Sequence, residues 1–338
     1  MAYLGITATR DGFVAADGGD LDGRLDRLAG ALPPDAPVVV LIHGYKFRPG
    51  RGGRPGEDPH RSLYAFAPDA PCWKVRSWPQ GLGFDPEDPA TGLCVGFGWP
   101  AAEAHLPALI AEGRTGFARV YDRAAAIGAT LAALIARLQA ALPGREIDVL
   151  AHSLGARVAL AALPHLEAAP GRMLLLGAAE FDARAREALD ACRAPRPPAI
   201  YNVTARANDI YDAAFETFAP RRSWQERAVG LGLGDPPPCW LDLQIDRAEV
   251  TDWIVAQGVP LTPARARFCH WSFYIRDGAF DLYRAILRRV PGWDVAALRV
   301  VPALAAQEPR WSRVALRPKL PSTSWIWPAA DGAGLGRA

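Results

Sequence analysis

The stretch that decides the fold reads Ile147-Asp148-Val149-Leu150-Ala151-His152-Ser153-Leu154-Gly155-Ala156-Arg157-Val158-Ala159-Leu160. It begins as a short run typical of a strand and ends as an alanine-rich segment typical of a helix. Ser153 lies between them, with a small residue two positions away on each side, Ala151 and Gly155. This is the sequence form of a nucleophile elbow, a tight strand-to-helix turn that lifts a serine hydroxyl out of the backbone. The usual pattern is G-x-S-x-G, and Ala151 departs from it by one methyl group.

The composition indicates a globular chain with balanced charge. Half of its 338 residues are hydrophobic, and 38 Lys and Arg nearly match 36 Asp and Glu, for a net charge of +2. A nucleic-acid-binding domain normally shows a basic face, so this balance argues against a nucleic-acid partner. The five cysteines include no C-x-x-C pair, which argues against a disulfide framework and against a zinc ribbon. We expect no metal site and no organic cofactor.

The ends and apolar runs of the chain bear on its location. The first residues lack a basic region followed by an apolar one, so no secretory signal is predicted. No uninterrupted apolar run is long enough to cross a bilayer. We therefore expect a cytoplasmic protein without a membrane span, and the sequence leaves its oligomeric state open.

Apolar runs bounded by chain-breaking residues predict the strands of a mostly parallel sheet. Residues 38–42 are continuously apolar, as in a strand that is buried on both faces. Further strands are predicted at 93–100, 172–177, 199–204 and 240–245. The clearest helical spacing of apolar residues covers 118–141 and stops at Pro143-Gly144. Strands that alternate with helices indicate an α/β fold, with a mostly parallel central sheet flanked by helices.

Segments with little periodicity divide the chain. Residues 1–35 are predicted to form an N-terminal strand and hairpin segment, and residues 36–290 the α/β domain. Within that domain, residues 47–92 and 219–262 are rich in Gly and Pro and are interpreted as lid-like insertions. Residues 291–338 form a C-terminal tail that either wraps the body or is partly disordered.

A serine hydroxyl becomes a good nucleophile only when a base removes its proton, and histidine is the usual base. The chain has six histidines: His43, His60, His105, His152, His165 and His270. Proteins built on this kind of elbow place the catalytic residues in the order serine, acid, histidine. Only His165 and His270 follow Ser153, and His165 lies about three turns further along the same helix, away from the elbow. We therefore predict that His270 is the base.

The third catalytic residue is expected to be a carboxylate that holds the histidine in one tautomer. Asp209 follows the strand predicted at 199–204 and is the preferred candidate. Asp182, which follows the preceding strand, is the alternative, and Asp212 is the third choice. The sequence ranks these three without excluding the last two.

An oxyanion hole needs two backbone N–H groups directed at the developing negative charge. One is expected from Leu154, the residue after the nucleophile. The other is expected from Tyr45, in the loop after the strand at 38–42, where Gly44 permits a close approach of the backbone. His43 in this loop is interpreted as structural, and His152 as a packing residue.

The motifs resemble those of the α/β-hydrolase superfamily over about residues 36–290. The residues that carry the resemblance are His43-Gly44-Tyr45 after one strand, Trp99-Pro100 after the next, and Ala151-His152-Ser153-Leu154-Gly155 at the elbow. In this combination they are similar to a bacterial group of uncharacterised α/β-hydrolases. That group has a Tyr-x-x-Asp-like start to the long helix, whereas Tyr121 and Asp122 are adjacent here. The chain also departs through a long insertion before the second strand and a long segment between Asp209 and His270.

Together these features predict a serine hydrolase that cleaves a carboxylic ester or thioester through an acyl-enzyme on Ser153. The expected partner is a small-molecule acyl ester. The alternative is a non-catalytic protein of the same fold that binds a ligand or a partner through its insertions and tail. An intact serine, histidine and aspartate in the expected order favours the enzyme.

Overall fold

The computed structural model describes residues 3–50, 55–69, 72–103 and 116–314. Eight strands form one sheet in the order β2-β1-β4-β3-β5-β6-β7-β8. The strands are β1 (Tyr3–Thr9), β2 (Gly12–Ala15), β3 (Val38–Ile42), β4 (Leu93–Gly98), β5 (Ile147–His152), β6 (Arg172–Leu176), β7 (Ala199–Thr204) and β8 (Trp240–Gln244). The β1–β2 pair is antiparallel, and every other neighbouring pair of these strands is parallel. The prediction of a mostly parallel sheet is confirmed.

Ten α-helices connect or flank these strands in the described part of the chain. They are α1 (Leu21–Ala31), α2 (Trp78–Gly81), α3 (Gly116–Ala141), α4 (Leu154–Ala162), α5 (Asp182–Asp190), α6 (Asp209–Phe218), α7 (Ala248–Ala256), α8 (Ser272–Ile275), α9 (Ala279–Leu287) and α10 (Val295–Arg299). The elbow helix α4 packs along the long helix α3, and β5 leads directly into α4.

Both faces of the sheet are buried, which explains why β3 is apolar at every position. Successive side chains of a strand point to opposite faces. Val38, Val40 and Ile42 therefore join one core cluster, which includes residues of α1, α3, α4 and α5. Val39 and Leu41 join a second cluster, with residues of α7, α9 and α10. A parallel sheet covered in this way holds the carboxyl ends of its strands rigidly, and the candidate site lies at those ends.

The helix α3 also meets the length and composition expected of a membrane span, with a mean hydropathy of 1.5 over its most apolar window. Charged residues interrupt this segment, so it contains no uninterrupted apolar run long enough to cross a bilayer. In the fold, α3 packs against α4, and its apolar side contributes Val120, Leu131 and Leu134 to the core. Helices buried in a protein core pass the same test of length and composition.

The segments outside the core of the predicted domain are joined to the sheet. β1 pairs with β4, so the N-terminal segment is part of the sheet. In the first insertion, Tyr64 and Trp78 are fully buried, while residues 51–54 and 70–71 lie outside the described residues. The second insertion contains β8 and α7. Both insertions thus contribute to the core.

The described part of the C-terminal tail crosses the carboxyl ends of β7 and β8. The N–H of Glu308 donates to Oε1 of Gln244 at 2.7 Å, and the N–H of Trp311 donates to Oδ2 of Asp209 at 2.6 Å. Residues 315–338 lie outside the described residues. The part from 291 to 314 therefore packs against the body of the protein.

Candidate active site

Ser153 occupies a strained turn between β5 and α4. Its backbone has φ 56° and ψ −125°, a conformation that non-glycine residues rarely adopt and that costs about 1–3 kcal/mol. Three backbone hydrogen bonds hold it: its N–H donates to Leu176 O at 3.0 Å, and its carbonyl accepts from Ala156 and Ala179. Such strain persists only when the surroundings impose it. Here it turns the serine toward a cavity, as expected of a nucleophile elbow.

The small residues around Ser153 are small for different steric reasons. A Cβ on Gly155 would lie 2.5 Å from Ile42 O and 2.7 Å from His43 O, too close for either carbonyl. A Cβ on Gly44 would lie 2.7 Å from the Cβ of Ser153. Ala151, by contrast, is fully buried within β5 with its methyl group accommodated. Glycine is therefore required after the serine and in the preceding loop, while alanine suffices before the serine.

His270 lines the same cavity as Ser153, and its ring is held by Asn208. Nδ1 of His270 lies 2.7 Å from Oδ1 of Asn208. The N–H of Cys269 donates to Ala207 O at 2.9 Å, which fixes the loop that carries the histidine beside the end of β7. If Nδ1 donates to the amide oxygen, Nε2 carries the lone pair that a general base needs. No hydrogen bond joins Ser153 Oγ to His270, a contact that often tightens only when substrate is bound.

A second hydrogen bond fixes the orientation of the Asn208 amide. Its Nδ2 donates to Oδ1 of Asp212 at 2.9 Å, so its oxygen faces the histidine. Burial raises the pKa of Asp212 to about 7, with the nearby Arg206 opposing this shift and Asp209 adding to it. Two hydrogen bonds thus connect Asp212 to His270 through the amide of Asn208.

His152, the residue before the nucleophile, supports the backbone of His270. Its Nε2 donates to the carbonyl of His270 at 3.1 Å, and the two rings lie 4.6 Å apart. Burial lowers the pKa of His152 to about 4. Burial, and then the neighbouring His152, also lowers the pKa of His270 well below its usual value. Both imidazoles are therefore neutral near pH 7, and His270 can accept a proton.

The structure does not bring Asp209 to His270. Its carboxylate faces away from the cavity, where Oδ1 pairs with Arg206 at 3.3 Å and Oδ2 accepts from the N–H of Trp311. Asp182 is also elsewhere: its Oδ1 accepts from the N–H groups of Ala183 and Arg227. The residue that contacts His270 is Asn208, one position before Asp209. The contact predicted for Asp209 is therefore corrected to Asn208.

The loop after β3 presents the second predicted oxyanion donor. In the described part of the chain, no group accepts a hydrogen bond from the N–H of Tyr45, whereas the N–H of Lys46 donates to Ala101 O at 2.9 Å. Leu154 is the first residue of α4, and the N–H groups of a first helical turn have no partner within the helix. In the described part of the chain, the N–H groups of Tyr45 and Leu154 are thus without a hydrogen-bond partner, and their role as oxyanion donors stays a prediction.

His43 and Trp99 join the two loops that frame this donor. Nε2 of His43 accepts from the N–H of Trp99 at 3.0 Å, and the indole N–H of Trp99 donates back to His43 O at 2.9 Å. Nδ1 of His43 donates to Gly44 O, which leaves the ring neutral. Burial lowers the pKa of His43 to about 3. The structural role expected for His43 agrees with these contacts, which connect the two motifs after β3 and β4.

A buried ionic cluster supports the elbow helix from behind. Arg157 of α4 pairs with Glu180 and lies over the ring of Tyr121, 3.5 Å from its centroid. Tyr121 donates its hydroxyl to Oε1 of Glu180, and the same oxygen accepts from the N–H of Phe181. Tyr121, from the motif at the start of the long helix, therefore acts in holding α4 and not at the reacting centre.

The cavity in front of Ser153 has a volume of about 290 Å³ and a largely aromatic wall. Its aromatic side chains are Tyr45, Phe47, Phe117, Tyr211, Phe215, Phe218, Trp271 and Tyr274. Ser153, His270 and Asn208 supply polar groups on one part of this wall. A mostly apolar pocket with a few convergent polar groups is typical of a small-molecule site. Among the described residues, no group of three or more His, Cys, Asp or Glu could hold a metal ion.

Sequence reasoning missed two residues of this arrangement, Asn208 and His152. Asn208 directly precedes the predicted acid, Asp209. It was not predicted because a carboxylate was expected in the third position. His152 was interpreted as packing, but it donates a hydrogen bond to the residue that carries the base. The available signal was an asparagine at the end of a strand, because Cys-His sites occur with asparagine in the third position.

Comparison with known proteins agrees with this geometry. A family model described as an alpha/beta hydrolase of unknown function (DUF900) matches residues 31–210, more than half of the chain. No curated protein and no solved structure matches. The matched region contains the elbow, both loops of the oxyanion site and Asn208. The resemblance to the α/β-hydrolase superfamily is confirmed: the chain belongs to this family of alpha/beta hydrolases of unknown function.

Proposed function

We propose that the protein is a serine hydrolase that cleaves a carboxylic ester or thioester through an acyl-enzyme on Ser153. The observation that carries the proposal is one arrangement: Ser153 at φ 56° faces a cavity shared with His270, and His270 is held by Asn208 at 2.7 Å. A strained serine, a neutral histidine and an orienting side chain are the parts that nucleophilic acyl transfer needs.

The proposed reaction begins when Nε2 of His270 accepts the proton of Ser153 as its Oγ attacks the substrate carbonyl. The negative charge that develops on the carbonyl oxygen is stabilised by the N–H groups of Tyr45 and Leu154. His270 then donates the proton to the departing alcohol or thiol. A water molecule, activated by the same histidine, attacks the acyl-enzyme and releases the acid.

Asn208 plays the part that a carboxylate plays in a Ser-His-Asp triad. Its amide oxygen holds the N–H of Nδ1 and thereby fixes the tautomer in which Nε2 is free. An amide carries no charge, so it stabilises the imidazolium less than a carboxylate would. Asp212, hydrogen-bonded to the amide at 2.9 Å, supplies a negative charge one residue further away when it is ionised.

The cavity supports an apolar acyl group of modest size. Phe117, Phe215 and Phe218 line it together with Tyr211 and Trp271. Removing such apolar surface from water contributes about 25 cal/mol per Å² of buried area. We therefore expect kcat/KM to rise with acyl chain length until the cavity is filled.

A panel of 4-nitrophenyl esters from acetate to decanoate tests the proposal. We expect a burst of 4-nitrophenol equal to the enzyme concentration, and loss of turnover in Ser153→Ala and His270→Ala. The matched controls are Ser223→Ala and His165→Ala, because both residues are exposed and do not line the cavity. If all five proteins show the same background rate, the chain is instead a non-catalytic protein of this fold.

A further inference from the structure

Lysine is scarce in this chain, and each described lysine either lines the cavity or contacts a residue that lines it. Among 38 Lys and Arg the lysines are Lys46, Lys74 and Lys319, and the last lies outside the described residues. Lys46 lines the cavity in front of Ser153. Lys74 lies over Trp271, which lines the same cavity. The two described lysines thus share the surroundings of the proposed reaction.

Lys46 is held beside the oxyanion loop. It follows Tyr45, and its backbone has φ 78°, in the left-handed region that side chains rarely adopt. The hydrogen bond from its N–H to Ala101 O fixes this conformation. Its side chain is exposed, so the ammonium group is solvated at the edge of the cavity. A substrate carbonyl bound at Tyr45 would therefore lie close to this cation.

Lys74 lies on the histidine side of the cavity. Its ammonium nitrogen is 3.9 Å from the centroid of the Trp271 ring and 5.0 Å from that of Trp73. The two indoles contact each other edge to face at 5.5 Å. The attraction between a cation and the faces of aromatic rings can hold it in position without a carboxylate partner. The ring of Trp271 lies 6.1 Å from that of His270, so Lys74 contacts an aromatic neighbour of the proposed base.

Neither Lys46 nor Lys74 forms an ion pair with another residue in the described part of the chain. Every ion pair formed between described residues uses an arginine, for example Arg157 with Glu180 or Arg289 with Asp148. The acidic side chain that lines the cavity is Asp212, which is buried and faces Asn208. The cavity therefore combines an apolar interior with one lysine on its wall, Lys46, and a second lysine over the lining residue Trp271, neither of them paired with a described carboxylate.

We propose that Lys46 and Lys74 bind an anionic group of the substrate, a carboxylate or a phosphate, that remains outside the apolar cavity. The substrate is then an amphipathic ester, with its acyl part in the cavity and its charge near the lysines. This inference rests on the proposed serine hydrolase function and adds the charge of the substrate to it.

Three hexanoyl esters that differ in one group test the inference: 4-(hexanoyloxy)benzoate, 4-(hexanoyloxy)phenyl phosphate and the neutral 4-(hexanoyloxy)benzamide. The readout is the ratio of kcat/KM for each anionic ester to that for the amide, at low and high salt. We expect a ratio of about 10 at low salt, because two exposed charge pairs together are worth about that factor. Salt should lower the ratio, since it screens exposed charges.

Variants assign the effect to the two lysines. In the double variant Lys46→Met with Lys74→Met the ratio should fall to about 1, whereas the double Lys→Arg variant should keep most of it. Arg24→Met is the control, since Arg24 is remote from the cavity and pairs with Asp17. The benzoate and phosphate esters show which anion is preferred.

Two failures are distinguishable. If the wild-type protein hydrolyses the neutral amide-bearing ester but shows a ratio near 1, or if the ratio survives in the double Met variant, the lysine inference is wrong and the hydrolase remains. If none of the three esters is hydrolysed and Ser153 forms no acyl-enzyme, the proposed function itself is wrong.

Discussion

Asn208 contacts His270 through a 2.7 Å pair between Oδ1 and Nδ1, at the position where an aspartate was expected. The two residues are 62 positions apart in the chain and are brought together by the end of β7 and the loop before α8. The neutral amide orients the base, and the buried carboxylate of Asp212 lies behind it. The residue that orients the histidine, Asn208, is thus different from the residue that carries the carboxylate, Asp212.

The first prediction concerns Asn208. Asn208→Ala removes the acceptor for Nδ1, so the imidazole can adopt the tautomer in which Nε2 carries the proton. We expect kcat to fall by about 100-fold, less than the roughly 10⁴-fold loss known for a carboxylate replaced in a Ser-His-Asp triad. Steady-state kinetics on the preferred nitrophenyl ester measures this. Asn208→Asp, which restores an acceptor, should recover part of the loss; equal activity of Asn208→Ala and wild type would remove Asn208 from the mechanism.

The second prediction is the pH dependence of kcat/KM. His270 works as a base only when it is neutral, and burial lowers its pKa well below 6.5. His270 therefore stays neutral when the pH is lowered through 6.5, and kcat/KM should decline only at clearly lower pH. A pH profile in buffers of constant ionic strength measures this. An acid limb centred on 6.5 would show that the histidine is solvated in the free protein.

The third prediction concerns the stability of the folded state and Asp212. Its folded pKa of about 7 lies above the unfolded value of 3.8, so the folded protein binds more protons between these values. Stability from this group is present below pH 4 and is lost as the pH rises toward 7. Asp212→Asn removes the titration and keeps an acceptor for Asn208. Relative to wild type, its free energy of unfolding should rise by up to about 4 kcal/mol between pH 4 and 7.

Urea unfolding at four pH values checks this, with Asp252→Asn on the exposed side of α7 as the control. A difference between Asp212→Asn and wild type that stays constant with pH would show that Asp212 is ionised throughout this range.

The fourth prediction separates Asp209 from catalysis. Asp209→Asn leaves the guanidinium of Arg206 buried, with an exposed fraction of 1%, and without its paired carboxylate. Removing one partner of a buried ion pair costs about 3 kcal/mol or more, so the variant should unfold at lower urea. Its kcat, measured below that transition, should change by less than about threefold. Loss of kcat at unchanged stability would return the orienting role to Asp209.

The fifth prediction compares the two small residues of the elbow. Gly155→Ala places a Cβ 2.5 Å from Ile42 O, so β3 or α4 must shift. We expect a destabilisation of about 2 kcal/mol or more, together with a loss of activity. Ala151→Gly restores the more common pattern and should keep the activity while costing about 1 kcal/mol of strand stability. Thermal unfolding and ester hydrolysis of both variants test the pair; a tolerated Gly155→Ala would contradict the packing described.

Much of the fold follows from local pattern. The run at β3 is continuously apolar between breakers, and both β3 and β7 begin and end at the predicted residues. The body of α3 was also predicted from the helical spacing of its apolar residues. The short helices α2, α8 and α10 were not, because four or five residues are too few to show a helical period.

Only the residues that the elbow motif and the order of residues along the chain identify could be predicted for the site. The elbow fixes Ser153, and the order of catalytic residues selects His270 among six histidines. Asn208 and Asp209 are adjacent, and successive residues on a helical turn point about 100° apart, so one faces the cavity and the other faces Arg206. That choice depends on the C-terminal segment that donates to Asp209 and on the loop that carries the histidine, both of which are distant in sequence.

The most direct test of the central claim is covalent labelling of Ser153 by a fluorophosphonate, followed by intact-mass measurement and peptide mapping. We expect one adduct per chain, on the peptide that contains Ser153, formed rapidly in the wild type and in Ser223→Ala. Ser153→Ala should gain no mass, and His270→Ala should react slowly. A folded wild-type protein that remains unlabelled, or one labelled at another serine, would contradict the assignment of Ser153 as an activated nucleophile.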